Sequence, residues 1–558
     1  MQHARTDGRL VELEAALATQ KERADTLEKE RDVLRASRDG LLEELKLLKL
    51  RLFVAKAERV DTQQLALEFQ HKLRQVEELA GTLDMPLDGS DEDESGASKK
   101  RTSTGRRSLK ELPLEEKSVE VSDELMEKLV TEGKAEKCGY ATSYKLMWQR
   151  GGMRRVAIHR VKYRTVGTHG ETAVESSAMP KELLPRCLAT ASLLSHLIIN
   201  KYCDGLPLFR MERRFARDGV PLDRGTMSRY LEEIGATLGV TIVEAMRKEA
   251  LTKAFCISTD ATGVAIQPEP QEDKRRQPCR RGHFFVQVAD KDAVFFEYTP
   301  RETSAAVGEM FKGFSGYVQA DAKSVYDILF RNVAEEEAPD IPAIDGKRKE
   351  VACWVHGRRN FWEAAIAKDV VGREGLARIA RIFELDESWA DKPPEERKRL
   401  RDAHLRPHVN AFFAWAEAEY EAVCQQRGLR RRALGYVTRH RSALECFFDD
   451  GRLVLDNNRS ERELRVIAVG RKAWLFFGGD DYAAAAGHLF SLISTARLHQ
   501  LEPEAYLRDI IRVLPFWPIE RYLELAPKYW PVTKARLNSL ELAAEVGTIT
   551  VPPSHTPA

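Results

Sequence analysis

DNNRSERELRVIAVGRKAWLFFGG, residues 456–479, is the stretch on which the reading of this chain turns. Asp456, Asn457 and Asn458 are helix N-cap types, whose side chains accept from the free N–H groups of a first turn. The run behind them has a helical period. Leu464, Ile467 and Ala468 fall three, six and seven residues after Glu461, near one face at about 3.6 residues per turn. Glu461 is thus on or beside the buried face, while Glu463 lies about 200° away, in solvent. An inward carboxylate needs a cation, and this helix face supplies none. Arg471, Lys472 and Trp474 follow, a basic and aromatic group suited to a nucleic-acid strand. Taken alone, the same pattern describes an ordinary capped helix with a salt-bridged Glu. Two upstream aspartates give it another meaning.

Both lie in an α/β segment. AFCISTDATGV (254–264) reads as an apolar strand ending in Asp260. GHFFVQVAD (282–290) and AVFFEYTP (293–300) read as a hairpin, and TSAAVGEMFKGF (303–314) as a helix. GYVQADA (316–322) reads as a strand ending in Asp321, followed by a helix SVYDILFRN (324–332). VACWVHGRRNF (351–361) reads as a strand running into a helix, and residues 362–450 as helix only. This order brings Asp260, Asp321 and Glu461 to one sheet edge, with small Ala261 and Ala322 leaving room. Three clustered acids repel and raise one another's pKa, so a divalent cation is the natural resolution. All-oxygen ligands suit Mg²⁺ or Mn²⁺, not zinc. Two such ions, about 3.5–4 Å apart, would activate a water or 3′-hydroxyl and stabilise the leaving oxygen of an in-line phosphoryl transfer. Any one of these acids is more often a turn or surface group; the conjunction carries the weight.

Working outward, LFRMERRFARDG (208–219) reads as a helix ending at Gly219. VPLD is a turn, and Asp223 caps a second helix, RGTMSRYLEEIG (224–235). This is a helix-turn-helix candidate, with Arg224, Thr226, Ser228 and Arg229 placed to face a DNA groove. RRVAIHRVKYRT (154–165) carries six positive residues and no acid; it reads as a basic ribbon whose alternation slips between Ile158 and Val161, as at a bulge. A solvated strand face fits it equally. Residues 84–110 carry an acidic run and then a basic one with little apolar content, a disordered linker. Residues 10–52 carry a heptad stripe, Leu10, Leu13, Leu17, Gln20, Ala24, Leu27, Arg31, Leu34, Arg38, Leu41, Leu45, Leu48 and Leu52. Its apolar seam and charged flanks predict a coiled coil and self-association.

The chain has 558 residues, enough for several domains, with a net charge of +1 and charges segregated into local runs. Its eight cysteines have no framework spacing, as expected of reduced thiols in a cytoplasmic protein. No apolar run of about 18 residues predicts a membrane helix, and no apolar h-region predicts a signal peptide.

STDATGV, GYVQADAKSVYD, CWVHGRRNFWEA, LDNNRSERELRVIAVGRKAWLFFGG and LISTARLHQLEPEAYLRDII together resemble the insertion-sequence-66 family of bacterial transposases. KYCDGLPLFRMERRFARDGVPLDRGTMSRYLEEIG and the leucine-rich start resemble it too, so the likeness covers most of the chain. The resemblance implies a DDE catalytic domain of ribonuclease-H-like fold, with Asp260, Asp321 and Glu461 as triad and ligands of two Mg²⁺ (or Mn²⁺) ions. It implies cleavage of double-stranded DNA at element ends and strand transfer into target DNA by the freed 3′-hydroxyl. It also implies a bacterial, nucleoid-associated setting and accessory proteins from the same element. Two readings from other classes stand beside it: a catalytically silent DNA-binding protein, and a ribonuclease-H-like nuclease without strand transfer. The family's paired cysteines after the linker are missing here, where only Cys138 stands, so zinc is not expected. Cys353-x-x-His356 has too few ligands for structural zinc; His356, Arg358 and Arg359 are candidates for flanking-phosphate contact. Arg430, Arg431, Arg432, Arg439 and Arg441 would line a DNA path or a solvated helix face.

The expected architecture is multidomain α+β. It comprises a coiled coil for homo-oligomerisation (1–80), a charged linker (81–116) and a small β-rich basic module (117–185). A helical region with the helix-turn-helix follows (186–250), then a first catalytic part (251–365), an all-helical insertion (366–452) and the Glu-bearing helix (453–480). A C-terminal helical region (481–548) and a disordered tail (549–558) complete it.

Overall fold

A computed structural model describes residues 109, 112, 114–149, 151–166, 172–185, 187–268, 277–330 and 348–554. The heptad stripe, most of the charged linker and the last four residues of the tail lie outside them. The chain divides into two compact units. Of the described residues, one contains those up to Glu350 and those from Asn457 on, the other Val351–Asp456.

The larger unit begins with a four-stranded sheet. β1 (Glu116–Val121), helix α1 (Glu124–Thr131), β2 (Ala135–Gln149), β3 (Gly152–Val166) and β4 (Thr172–Ser176) follow in order. The sheet order is β1-β3-β2, with β4 also on β3. β3 is covered on both faces, which is why its alternation breaks down. Val156 and Ile158 pack with Met147 and Val546 on one side. On the other, Tyr163 donates to Glu127 at 2.7 Å and accepts from the Asp123 N–H, under α1. The register irregularity sits opposite, between Lys137 and Gly139 of β2, and not between Ile158 and Val161. The ribbon's arginines are largely neutralised at home. Arg154 pairs with Glu115, Arg155 with Glu116 and Arg164 with Glu136, and Arg160 donates to the Ser177 carbonyl.

Helices α2 (Ala191–Tyr202), α3 (Leu208–Arg217), α4 (Arg224–Leu238) and α5 (Glu244–Lys253) come next, with a π turn, Gly239–Val243, joining the last two. The helix α4 does not stop at Gly235, as the sequence suggests, but runs on to Leu238. That glycine is needed for closeness: a Cβ there would lie 2.3 Å from the Ala485 carbonyl oxygen.

The second sheet carries β5 (Cys256–Ile266), β6 (Arg280–Ala289), β7 (Ala293–Thr299) and, after helix α6 (Ser304–Met310), β8 (Gly316–Ala320) and β9 (Arg348–Ala352). Its order is β7-β6-β5-β8-β9, with a short β10 (Phe476–Phe477) also on β5. β5 is antiparallel to β6 and parallel to β8. It does not end at Asp260. β6 pairs with it from Ile257 to Ile266, so Asp260 sits mid-strand, beyond the last β8 pairing at Ser258.

In the smaller unit, helices α7 (Trp354–Ile366), α8 (Val370–Glu387), α9 (Pro394–Leu400), α10 (Arg406–Val423), α11 (Leu429–Arg439) and α12 (Arg441–Glu445) enclose Trp354, Phe412, Phe413 and Phe447. A fully buried Arg401 binds Asp386 through two nitrogens and the carbonyls of Phe447, Asp450 and Leu453. Most insertion arginines are tied within this unit. Arg430 pairs with Asp369, Arg432 with Glu363, and Arg441 with Glu417 and Glu445.

The larger unit resumes with α13 (Asn458–Trp474), α14 (Asp480–Leu498), α15 (Pro503–Val513), α16 (Trp530–Ala535) and α17 (Ser539–Ala543). α14 seals the β7 edge of the sheet. Thr495 Oγ1 accepts from Val294 N–H and Ser491 Oγ from Phe296 N–H, backbone groups that an open edge would leave unpaired. No helix of the described residues is long and apolar enough to cross a membrane.

Candidate functional site

Register places the two aspartates. Ser258 lies opposite Gln319, so two residues further Asp260 comes level with Asp321, on the same face of adjoining parallel strands. β8 ends at Ala320, and Ala322 takes a φ of 56°, the left-handed region. The turn that results brings Lys323 back over Asp321. Its N–H donates to Asp321 Oδ1 at 3.3 Å, and its Nζ lies 2.9 Å from Oδ2. The same Nζ is 3.9 Å from Asp260 Oδ1 and 4.0 Å from Glu302 Oε1. One ammonium therefore serves three carboxylates. Two of those were read from the sequence; Glu302 and Lys323 were not.

Burial, then the Asp321 charge, push the Asp260 carboxyl up to about 6, against the opposing pull of Lys323 and the Ala261 N–H. Glu461 adds to the same upward push, so its charge reaches Asp260. For Lys323, burial works against the ammonium, but Asp321, Asp260 and Glu302 outweigh it and hold the group above its ordinary value. The position is thus one that takes a cation, and the lysine stands in it. Its donors are all oxygens, as a hard divalent ion requires, and two carboxylates suffice for Mg²⁺ when substrate oxygens and water complete the shell. Among the described residues, no three His, Cys, Asp or Glu side chains are gathered so that they could hold a metal. Asp260 and Asp321 are brought together; Glu461 is not closed upon them.

The Glu461 helix is fastened to β5 at both ends. At its start Asn457 makes no side-chain cap, contrary to the N-cap reading. Its amide instead donates to the Thr259 carbonyl at 2.8 Å, and its Oδ1 accepts from Ser460 Oγ at 2.8 Å. Asn457 and Ser460 are both buried. At the other end Arg471 donates to Thr262 Oγ1 and to the Gly263 carbonyl at 2.6 Å. The arginine expected to meet a DNA strand is a clasp on the sheet. Trp474 is likewise a core residue, only 9% exposed and 4.6 Å from the Phe477 ring. Lys472 is exposed.

In the helix-turn-helix candidate, Asp223 Oδ1 accepts from the Thr226 N–H at 2.9 Å and its Oδ2 from the Thr226 hydroxyl at 2.8 Å. Thr226 is thereby part of the cap, while Arg224 and Arg229 are exposed and Ser228 is half-buried. On α3, Arg210 and Arg213 lie over the ring of Phe209, itself exposed. In the smaller unit, Arg358 is exposed, Arg359 lies 3.7 Å from Glu363, and His356 is half-buried on α7.

These features define a mixed α/β protein with an acidic, cation-holding site on two adjoining parallel strands. The family model for "Transposase IS66 family" matches residues 186–485, more than half of the chain, and that for the "IS66 C-terminal element" matches residues 491–527. The chain belongs to the IS66 transposase family. Its relatives include "Uncharacterized protein y4qI" of Sinorhizobium fredii (strain NBRC 101917 / NGR234), 25% identical over 379 residues, or 67% of this chain and 68% of the relative. "Uncharacterized protein y4hP" of the same strain is 25% identical over 395 residues, 67% of each chain. Family membership supports a transposase role, that of a DNA-processing enzyme.

Proposed function

We propose that this protein is a DDE transposase that cleaves double-stranded DNA at element ends and joins the freed 3′-hydroxyl to target DNA. The observation that carries the reading is the level placement of Asp260 and Asp321 around one cation, with the Glu461 helix pinned to the residue before Asp260. The sheet order supports a ribonuclease-H-like catalytic domain, since it sets the two aspartates side by side. Asp260 and Asp321, joined by Glu461, would hold two Mg²⁺ or Mn²⁺ ions. When bound, such ions supply a lowered pKa for the attacking hydroxyl and charge stabilisation for the leaving oxygen. The protein's part is orientation. Asn457 and Arg471 fix the helix that presents Glu461, and the pairing of β5 with β6 fixes Asp260. Exposed Arg224, Arg229, Lys472 and Arg358 are suited to backbone phosphates. The heptad stripe would make the active species an oligomer, acting in the bacterial cytoplasm at the nucleoid. Accessory proteins of the same element would be further partners.

The test is an end-cleavage and joining assay with labelled element ends and Mg²⁺. Cleavage and joining by the wild type, lost in Asp260→Asn, Asp321→Asn and Glu461→Gln with DNA binding kept, support the reading. Cleavage without joining of precleaved ends would leave a nuclease. DNA binding without metal-dependent cleavage would leave a silent DNA-binding protein.

A further inference from the structure

We propose that Lys323 is an internal substitute for the catalytic cation: its ammonium binds the Asp260–Asp321 pair when no metal is present and competes with a divalent ion for those oxygens. This rests on reading that pair as a cation site.

The geometry makes the two occupants exclusive. Nζ is 2.9 Å from Asp321 Oδ2 and 3.9 Å from Asp260 Oδ1, so it stands among the oxygens a metal would share. A Mg²⁺ ion needs its oxygens at about 2.0–2.1 Å and would sit against a like-charged ammonium. One of the two has to leave. The lysine can do so cheaply. Its side chain is 46% exposed, on a flexible four-carbon stem that opens to solvent, whereas the Asp321 side chain is only 8% exposed. The backbone N–H of Lys323 keeps its bond to Asp321 Oδ1 in either case, so the departing ammonium does not release the turn.

The substitute also has a purpose. Without a positive charge, two carboxylates on adjacent strands would face each other in a partly buried place, a repulsion that grows as the surroundings lose water. Lys323 removes that repulsion and keeps the pair arranged, at the cost of a weaker apparent metal affinity, because an ion must first displace it.

Mn²⁺ binding to the purified full chain tests this, followed by the loss of the free-ion electron paramagnetic resonance signal. Lys323→Met and Lys323→Gln should each bind Mn²⁺ several-fold tighter than the wild type. Lys323→Arg, which keeps the charge, should stay near it. Without metal, both neutral variants should melt lower than the wild type, and Mn²⁺ should raise their melting temperature more than it raises that of the wild type. If the wild type binds Mn²⁺, Asp321→Asn abolishes that binding, and the neutral variants bind no tighter, the competition is refuted and the cation site stands. If neither wild type nor variants bind, or Asp321→Asn binds like the wild type, the cation site and the competition fall together.

Discussion

The side-chain amide of Asn457 donates to the carbonyl of Thr259 at 2.8 Å, in a buried position. That bond ties the first turn of the Glu461 helix to the strand residue next to Asp260. Asn457→Leu leaves the Thr259 carbonyl without this donor and should cost about 1–3 kcal/mol, the scale of a buried polar group losing its partner. Its effect on end cleavage should be larger than its effect on melting, since Glu461 loses its anchor. Denaturant unfolding and a cleavage time course on the same preparation compare the two.

Asp260→Asn, Asp321→Asn and Glu461→Gln should each reduce metal-dependent cleavage by at least about a hundredfold, the scale of losing one electrostatic stabiliser of a transition state. End binding should stay within a fewfold of wild type, because none of these acids meets phosphate directly. Gel-shift titration beside the cleavage assay reads both. Chelation of divalent ions by EDTA should abolish cleavage in the wild type and restore on adding Mg²⁺.

Arg471→Ala should lower both stability and cleavage. Its guanidinium holds Thr262 Oγ1 and the Gly263 carbonyl, so the loss loosens the far end of the Glu461 helix. Lys472→Ala removes only an exposed charge and should leave the melting temperature unchanged. A thermal melt of the two variants separates clasp from surface.

Arg224→Ala with Arg229→Ala should weaken DNA binding evenly across sequences and reduce the salt slope of log K by about 2, if each meets one phosphate. Thr226→Ala should act differently, through the loss of a cap bond to Asp223, and lower helix stability by about 1 kcal/mol. Binding at several salt concentrations, with circular dichroism as a companion, distinguishes these causes.

In the smaller unit, Asp386→Ala leaves the fully buried Arg401 without its carboxylate and should destabilise by about 3–5 kcal/mol. Replacing both, as Asp386→Leu with Arg401→Met, should recover only part of that loss, because Arg397 also binds Asp386 and three carbonyls lose the Arg401 donors. Unfolding midpoints of the single and double variants measure it.

The hairpin of β6 and β7 could be read because its strands are short apolar runs, buried on both faces and bounded by turn residues, and the helix after Asn457 because its apolar residues recur at the helical period. The end of β5 could not. Whether a strand stops is decided by its partner, and β6 runs on past Asp260. Gly235 reads as a stop because a glycine's backbone freedom is local knowledge, while the closeness of Ala485 is not. Trp474 and Arg471 carry the composition of a strand-binding group but are drawn inward by Phe477 and by β5. The cation shared by Asp260, Asp321 and Glu302 lies on neither predicted acidic element's buried face. Lys323 comes from the exit of β8, near Asp321 in sequence, and only the left-handed turn at Ala322 reveals that it curls back. A Lys two residues after a strand-end Asp is the sequence feature that marks it.

The bond between Asn457 and Thr259 joins residues 198 positions apart. During synthesis, the ribosome delivers the strand with Asp260 long before the segment that fastens the third acid beside it. Under the proposed reading, a nascent or prematurely terminated polypeptide holds an unfinished set of acids and is harmless to the chromosome around it until translation has passed the whole helical insertion.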